Sequence, residues 1–433
     1  MRILLISPWD KGRRRYRSRL SFLISYPPLT LPTLAALVPP ELSAEILVYD
    51  EISDKKPPQG PFDLVAITVI TSESLRAYEL ADYYRESNAF VVLGGYHVTF
   101  LPEEALEHGD AVVTGEGLIA WPKLLREFAK GELTGRIYDD GDEEADVNPI
   151  PRREVLKSRS YAPVDTVIAS RGCPNNCMFC AIRKMGEHSR RPVDEVINEL
   201  RGLKRKFVIF YDPNFFADRA RAMELLEAME PLRLRWGATA TIEFGFDEEL
   251  MDAAKRAGCN GVLIGFESLN TEALKNVNKK FCDPGSYRRA VENIHRRDIT
   301  VNGTFVIGLD EDRPENLVAL PAGVLDIGVD LPIFFILTPV PGNALYDEFK
   351  AQGRILTDDW SRYTQADVVF RPKNMSPEGL FVAYERVWRE SYSFSNMIRR
   401  VFRAPGASFR HRLIVFCMNL GFKFLGRDRR FGR

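Results

Sequence analysis

The sequence lacks any apolar run near the 20 or so residues that cross a bilayer, which argues against a helical membrane protein. Its opening, Met1-Arg2-Ile3-Leu4-Leu5-Ile6-Ser7-Pro8, has only a short apolar stretch. That suits a buried first strand and is too short for a secretory signal, so the cytoplasm is the expected compartment. Glycine (30) and proline (27) are too sparse in 433 residues for a fibrous or disordered class. No internal repeat and no low-complexity tract is present. No G-x-G-x-x-G follows the first strand, so a dinucleotide fold is not supported. Cysteine is scarce too: six in all, none before Cys173, which fits a reducing compartment and no disulfide framework.

Three of those six sit in one stretch, Arg171-Gly172-Cys173-Pro174-Asn175-Asn176-Cys177-Met178-Phe179-Cys180, spaced C-x3-C-x2-C. Three thiolates in one short loop can hold three corners of a four-iron, four-sulfur cluster. The fourth iron is then open to a substrate. Zinc is the competing reading, but it wants four ligands, ordinarily from two close pairs. No second pair exists, and the nearest histidine, His188, lies eight residues past Cys180. The spacing therefore points to a cluster with an open iron, a reactive centre.

The chain reads as α/β in three segments. Residues 1–130 alternate apolar strands (Arg2–Ser7, Glu45–Tyr49, Asp63–Ile67, Ala89–Leu93, Asp110–Val113) with helices such as Leu29–Leu37 and Ser72–Glu86. Strands apolar on both faces predict an N-terminal doubly wound parallel sheet that binds ligands at the carboxyl ends of its strands. Residues 131–161 read as a connector, acidic around Asp139 to Asp146 and then carrying Pro149 and Pro151. Residues 162–345 repeat strand-then-helix six times. Strands are expected at Thr166–Ser170, Phe207–Tyr211, Arg235–Ala238, Gly261–Gly265, Val301–Ile307 and Ile333–Leu337. They predict a partial (β/α)6 barrel of the TIM type with its site at the strands' carboxyl ends, and the cysteine loop follows the first strand. Residues 346–433, rich in helix formers and aromatics, predict a mostly helical C-terminal extension with a basic tail.

Polar residues close several of these strands. Asn214 and Glu267 read as ligand-binding, because buried carboxylates and amides at strand ends are costly unless they bind something. Asp212 reads equally as a helix N-cap. Gly94-Gly95 and Gly115/Gly117 close two strands of the first segment. They would let a ligand approach the backbone, although spacing alone favours ordinary turn positions.

These runs together resemble the radical S-adenosylmethionine (SAM) superfamily. The cysteine loop is similar to its cluster loop. Phe210-Tyr211-Asp212-Pro213-Asn214-Phe215-Phe216, Ile264-Gly265-Phe266-Glu267-Ser268, Thr304-Phe305-Val306-Ile307-Gly308-Leu309 and Leu337-Thr338-Pro339-Val340-Pro341-Gly342-Asn343 resemble the second, fourth, fifth and sixth strand motifs of one branch. The last departs from the pattern, with Asn343 where Thr is usual. That branch carries a cobalamin-binding domain. Gly94-Gly95-Tyr96-His97-Val98-Thr99, Pro102-Glu103-Glu104 and Thr114-Gly115-Glu116-Gly117 are similar to that domain's signature. The resemblance extends to about residue 395. It implies a [4Fe-4S] cluster on Cys173, Cys177 and Cys180, with Phe179 against the adenine of SAM and Asp212, Asn214, Glu267 and Gly308 around the rest of it. It implies cobalamin against Gly94, Gly95, His97, Thr99, Gly115 and Glu116. No D-x-H-x-x-G is present, so no histidine is expected on cobalt, and His97 is not read as a metal ligand. In that family an electron from the cluster cleaves SAM to methionine and a 5′-deoxyadenosyl radical, which abstracts hydrogen from unactivated carbon.

The expected activity is C-methylation of a small-molecule or lipid-like substrate, with electrons from a flavodoxin or ferredoxin. The alternatives are an oxidative cyclase or rearranging enzyme with the same cofactors, and a non-catalytic tetrapyrrole-binding protein. A methylthiotransferase is disfavoured, since residues 1–172 hold no cysteine for a second cluster. Charge is unevenly placed. The chain's net is −1, yet Arg399 to Arg433 holds ten Lys/Arg and one acid, +9, which leaves −10 on the rest. Basic residues flank the apolar Leu413 to Phe422, a pattern suited to a helix on the anionic inner face of a membrane; packing on the barrel is the alternative. Aromatics are too few among those charges for nucleic acid. Lys11, Arg13, Arg14, Arg15, Arg17 and Arg19 read either as an anion-binding loop or as a solvated one.

Overall fold

The computed structural model describes residues 1–9, 25–141, 147–403 and 408–428. The basic loop from Lys11 to Arg19 lies outside them.

Two six-stranded sheets, parallel throughout, organise the chain. The first contains β1 (Arg2–Ser7), β2 (Glu45–Asp50), β3 (Leu64–Thr68), β4 (Phe90–Gly94), β5 (Ala111–Val113) and β6 (Ile137–Tyr138), in spatial order 2-1-3-4-5-6. Ile3, Leu4, Leu5 and Ile6 are all fully buried, because helices cover both faces of β1. Strand order reverses beside β1, and at such a switch point the loops leaving the carboxyl ends diverge and open a crevice. The sheet outruns the expected boundary at residue 130. β6 comes from the connector and pairs Val112 with Ile137. Two residues are too short to show a period. Tyr138 secures them, its ring buried and its hydroxyl donating to Glu127 at 2.7 Å.

The second sheet contains β7 (Asp165–Val167), β10 (Phe207–Phe210), β11 (Arg235–Ala240), β12 (Cys259–Glu267), β13 (Thr300–Ile307) and β14 (Leu331–Ile336), in order 14-13-12-11-10-7. Neighbours in space are neighbours in sequence, as in an arc of a (β/α) barrel. Burial alternates with period two. Val208, Trp236, Val262, Val301 and Phe334 are sealed under the helices. The register aligns the half-buried row of Ile209, Thr239, Leu263, Asn302, Thr304 and Ile333 along the inside of the arc.

The expected first barrel strand is interrupted. β7 ends at Val167, and β8 (Ser170–Arg171) pairs antiparallel with β9 (Ser189–Arg190). That small hairpin closes the base of the cysteine loop. The C-terminal segment packs its helices on the barrel as expected, Pro377–Ser391 against Pro314–Ile327 among them. The final helix, Phe409–Asp428, crosses the amino-terminal end of the arc, opposite the cysteine loop. There Asp330, just before β14, gathers His295 Nε2 at 2.8 Å, the Val301 N–H at 2.7 Å and His411 Nε2 at 3.4 Å. Its own carbonyl accepts from Asn419 at 2.8 Å. Among the described residues no helix is long and apolar enough to cross a membrane.

Candidate active site

Cys173, Cys177 and Cys180 lie between β8 and the short helix Ile182–Met185, each half-buried and none disulfide-bonded. Gly172 at the base has φ +66°, and a Cβ there would meet the Glu187 carbonyl oxygen at 2.6 Å, so the hairpin admits only glycine. The loop is tied down from the end of the helix Thr271–Asn276 and from the start of the helix Ala344–Ala351. Met178 N–H donates to the Val277 carbonyl at 3.1 Å, and Asn278 Nδ2 to the Asn176 carbonyl at 2.8 Å. Asn343 Nδ2 donates to the Phe179 carbonyl at 3.2 Å. Three unpaired thiols on a loop braced at both ends are the donor set an iron–sulfur group takes. Burial pushes the Cys177 thiol up to about 11, with the Lys279 ammonium opposing, and burial raises Cys180 also. A bound cation reverses that preference and draws the thiols to thiolate.

The other expected SAM residues, Asp212, Asn214, Glu267 and Gly308, stand at carboxyl ends of the strands. Glu267 has φ +61° at a bulge where β12 leaves β13. Its carboxylate pairs with the Lys279 ammonium at 2.7 Å and accepts from Thr304 Oγ1 at 3.3 Å. Lys279 Nζ in turn lies 5.9 Å over the Phe179 ring. Asn214 stands beside His188 and Arg190 in a small cleft, and its Oδ1 is buried with no hydrogen-bond partner. An acceptor left in that state is open to a ligand's donor. Asp212 caps no helix and lines the same small cleft as Asn214. It is 1% exposed and accepts from the Ala169 N–H at 2.8 Å and the Ser170 hydroxyl at 2.6 Å, so it braces the backbone that enters the cysteine loop. Burial pushes its carboxyl up to about 6. Gly308 packs against the C-terminal segment. A Cβ on it would meet Leu380 at 2.9 Å and Phe370 at 3.1 Å, so its need for glycine comes from packing of the C-terminal segment.

The glycine loops of the first sheet open toward this same place. Gly95 has φ +108°, and a Cβ there would lie 3.0 Å from the Val69 carbonyl. Thr99 Oγ1 donates to the Gly95 carbonyl at 2.9 Å and accepts from the Gly115 N–H at 3.0 Å, which fixes the spacing of the two loops. Together they form a backbone shelf at Gly94, Gly95 and Gly115 that suits a broad planar ligand, while Gly117 is buried against Val113 and Trp121. His97 is not on that shelf. It is fully buried, with Nδ1 3.3 Å from Thr71 Oγ1, Nε2 3.0 Å from Glu104 and its ring against Trp360. Both nitrogens are taken, so a ligand at the shelf meets no imidazole here. Glu104 also accepts from Trp360 Nε1 at 3.1 Å, so the cluster joins the first sheet to the C-terminal segment.

Shelf and cysteine loop abut. Glu116 forms an ion pair with Arg171 at 3.1 Å, two residues before Cys173. The Tyr96 phenol is pushed up by burial and then by the nearby Cys180 sulfur. Phe100 lies against Gly342, where an added Cβ would meet its ring at 2.5 Å. Arg171, Tyr96, Lys279 and Asn343 were not singled out as site residues from sequence. Only Asn343 carried a signal, as the departure from the sixth strand motif. It is fully buried, caps the helix Ala344–Ala351 through Oδ1 on the Tyr346 N–H at 2.7 Å, and holds the loop carbonyl with its amide.

Two family models match the sequence, the radical SAM superfamily over residues 167–320 and the B12 binding domain over 58–125. The uncharacterized methyltransferase PH0819 of Pyrococcus horikoshii is 31% identical, over 81% of this chain and 84% of that one. Bacteriochlorophyllide d C-12(1)-methyltransferase of Chlorobaculum tepidum is 29% identical over 92% of this chain and 91% of its own length. The fold is that of the radical SAM methyltransferase TsrM from Kitasatospora setae, a structure with cobalamin and [4Fe-4S] cluster bound. It has a TM-score of 0.67 and 16% identity over 97% of this chain and 99% of that one.

Proposed function

Because the chain belongs to the radical SAM family whose members carry a B12-binding domain, we propose that it is a C-methyltransferase acting on an unactivated carbon of a small-molecule or lipid-like substrate. It is a cobalamin-dependent radical SAM enzyme, with a [4Fe-4S] cluster, SAM and cobalamin as cofactors. Bound there, these groups supply one-electron cleavage of SAM and a transferable methyl group. The observation that carries the methylation reading is the seam between shelf and cysteine loop. One substrate carbon held at that seam is within reach of both chemistries.

The residues then take the following roles. Cys173, Cys177 and Cys180 bind the cluster, and Phe179 flanks the adenine. Asn214 and Glu267 take the polar groups of SAM, with Lys279 fixing the Glu267 carboxylate in one orientation. Thr99 holds in register the two glycine loops that would take cobalamin, and the Arg171–Glu116 pair joins them to the cysteine loop. The row inside the arc, Ile209, Thr239, Leu263, Asn302, Thr304 and Ile333, contains no titratable group. Hydrogen abstraction from unactivated carbon needs no acid or base, and this row offers none. The tetrapyrrole named in one relative makes bacteriochlorophyll-type macrocycles the first substrates to assay.

The test is anaerobic turnover with methyl-deuterated SAM, read by mass spectrometry. Methylation adds a labelled methyl group to the substrate, whereas oxidative ring closure removes hydrogen and adds no label. Cys177→Ala should abolish 5′-deoxyadenosine formation while the fold persists. Production unchanged in that variant would show that the site has been misplaced, and intact SAM in the reduced wild type would favour a non-catalytic carrier.

A further inference from the structure

We propose that the C-terminal helical hairpin, Phe394–Arg403 with Phe409–Asp428, is an interfacial anchor that seats this protein on an anionic phospholipid surface. Each helix already has one face against the protein. Met397, Arg400 and Val401 are buried in the first, His411, Val415 and Asn419 in the second. The opposite faces are also apolar. Phe394, Ile398 and Phe402 form an i, i+4, i+8 row on the first helix, and Phe409, Leu413 and Phe416 an i, i+4, i+7 row on the second. All are exposed, Phe402 at 67% and Phe409 at 83%. The helices run antiparallel with the rows side by side, since Arg412 lies 5.6 Å over the Phe402 ring and Lys423 Nζ 4.0 Å over the Phe394 ring.

An apolar face of this kind needs an occupant, and charge selects it. Residues 399–433 carry +9 against −10 on the rest of the chain. A second copy docked through this face by a two-fold axis would set one +9 segment against another. An anionic bilayer meets the outward cations, Arg399 among them, with phosphates and the aromatic rows with the upper acyl region, while Arg400 stays buried and Arg403 pairs with Asp326. No described helix spans a membrane, so the hairpin lies on it. It covers the amino-terminal end of the arc, around Asp330, so docking leaves the cysteine-loop end free.

The test is flotation of the full-length, cluster-loaded protein with vesicles of phosphatidylcholine containing phosphatidylglycerol, and with phosphatidylcholine alone. The expected result is binding to the anionic vesicles that falls as salt rises, with little binding to phosphatidylcholine. Phe402→Ser with Leu413→Ser and Phe416→Ser should abolish flotation. Arg399→Gln and Arg412→Gln should each weaken it about fivefold. All but Arg412 are outward side chains, so circular dichroism and the melting temperature should hold; if the serine variant unfolds, the Arg399→Gln effect decides alone. Absence of anionic-vesicle binding by folded wild type overturns the proposal. So does a dimer in sedimentation that the serine variant dissociates, because a second copy would then cover the face.

Discussion

At the scale of single residues, glycine and carboxylate positions around the cysteine loop carry more of the site than their chemistry announces. Gly172 is the sharpest case. An alanine there keeps φ near +66° only under strain and drives its methyl into the Glu187 carbonyl, a cost of about 1–3 kcal/mol for the backbone alone. Gly172→Ala should therefore lower iron content after anaerobic reconstitution several-fold while far-UV circular dichroism stays near wild type. Full iron loading would mean that the hairpin does not set the loop. The thiols themselves were legible in the sequence because three ligands within eight residues are a chain-local pattern. The surroundings of Asp212, Gly308 and His97 were not legible, for the opposite reason. Their motif positions are local, but the direction each side chain takes depends on what packs beside it. For Asp212 that is the Ala169 backbone and the Ser170 hydroxyl, for Gly308 Phe370 and the helix Pro377–Ser391, and for His97 Glu104 and Trp360.

At the scale of elements, the last helix is held by a buried charge network whose strength depends on pH. Burial alone would push His411 down, but the hydrogen bond and charge of Asp330, with help from Asp298, carry it above its usual value against the opposing Lys255. Burial likewise works against ionisation of Asp330, and His295 and His411 overcome it, holding that carboxyl well below the carboxylate range. A raised histidine contributes stability below its unfolded value of about 6.5 and loses it as pH rises through the folded value. A depressed carboxyl contributes above about 4 and loses it as pH falls through the folded value. Docking of Phe409–Asp428 should therefore be firmest between about pH 4 and 6.5 and loosen in alkali. Amide exchange in residues 411–423, corrected for intrinsic rates, should show protection falling as pH is raised, and His411→Gln should flatten that limb. Protection independent of pH would remove Asp330 as the pin. The strands were legible because period-two burial and fully apolar runs leave a direct mark on sequence. β6 and the β7–β8 break were not, being two-residue pairings set by Tyr138 and Asp212 through space.

At the scale of the molecule, the active site is a seam between two sheets, and sequence reading could name both halves without showing that they touch. Glu116 and Arg171 are 55 residues apart and Phe100 and Gly342 further still. No periodicity encodes such contacts. Gly342→Ala would press a methyl into the Phe100 ring at φ +90° and should lower the melting temperature by a few degrees, about 1–3 kcal/mol. Adding Phe100→Ala should recover part of the loss by removing the clash. An unchanged melting temperature in Gly342→Ala would mean that the two halves are not held together there. The most direct measurement of the seam is electron paramagnetic resonance of anaerobic protein loaded with cob(II)alamin, taken before and after reduction of the cluster. The cobalt signal should broaden and relax faster once the cluster is reduced, and Cys177→Ala should lose this effect. A cobalt signal that is identical in both states of the wild type would contradict the claim that the two cofactors face a common substrate.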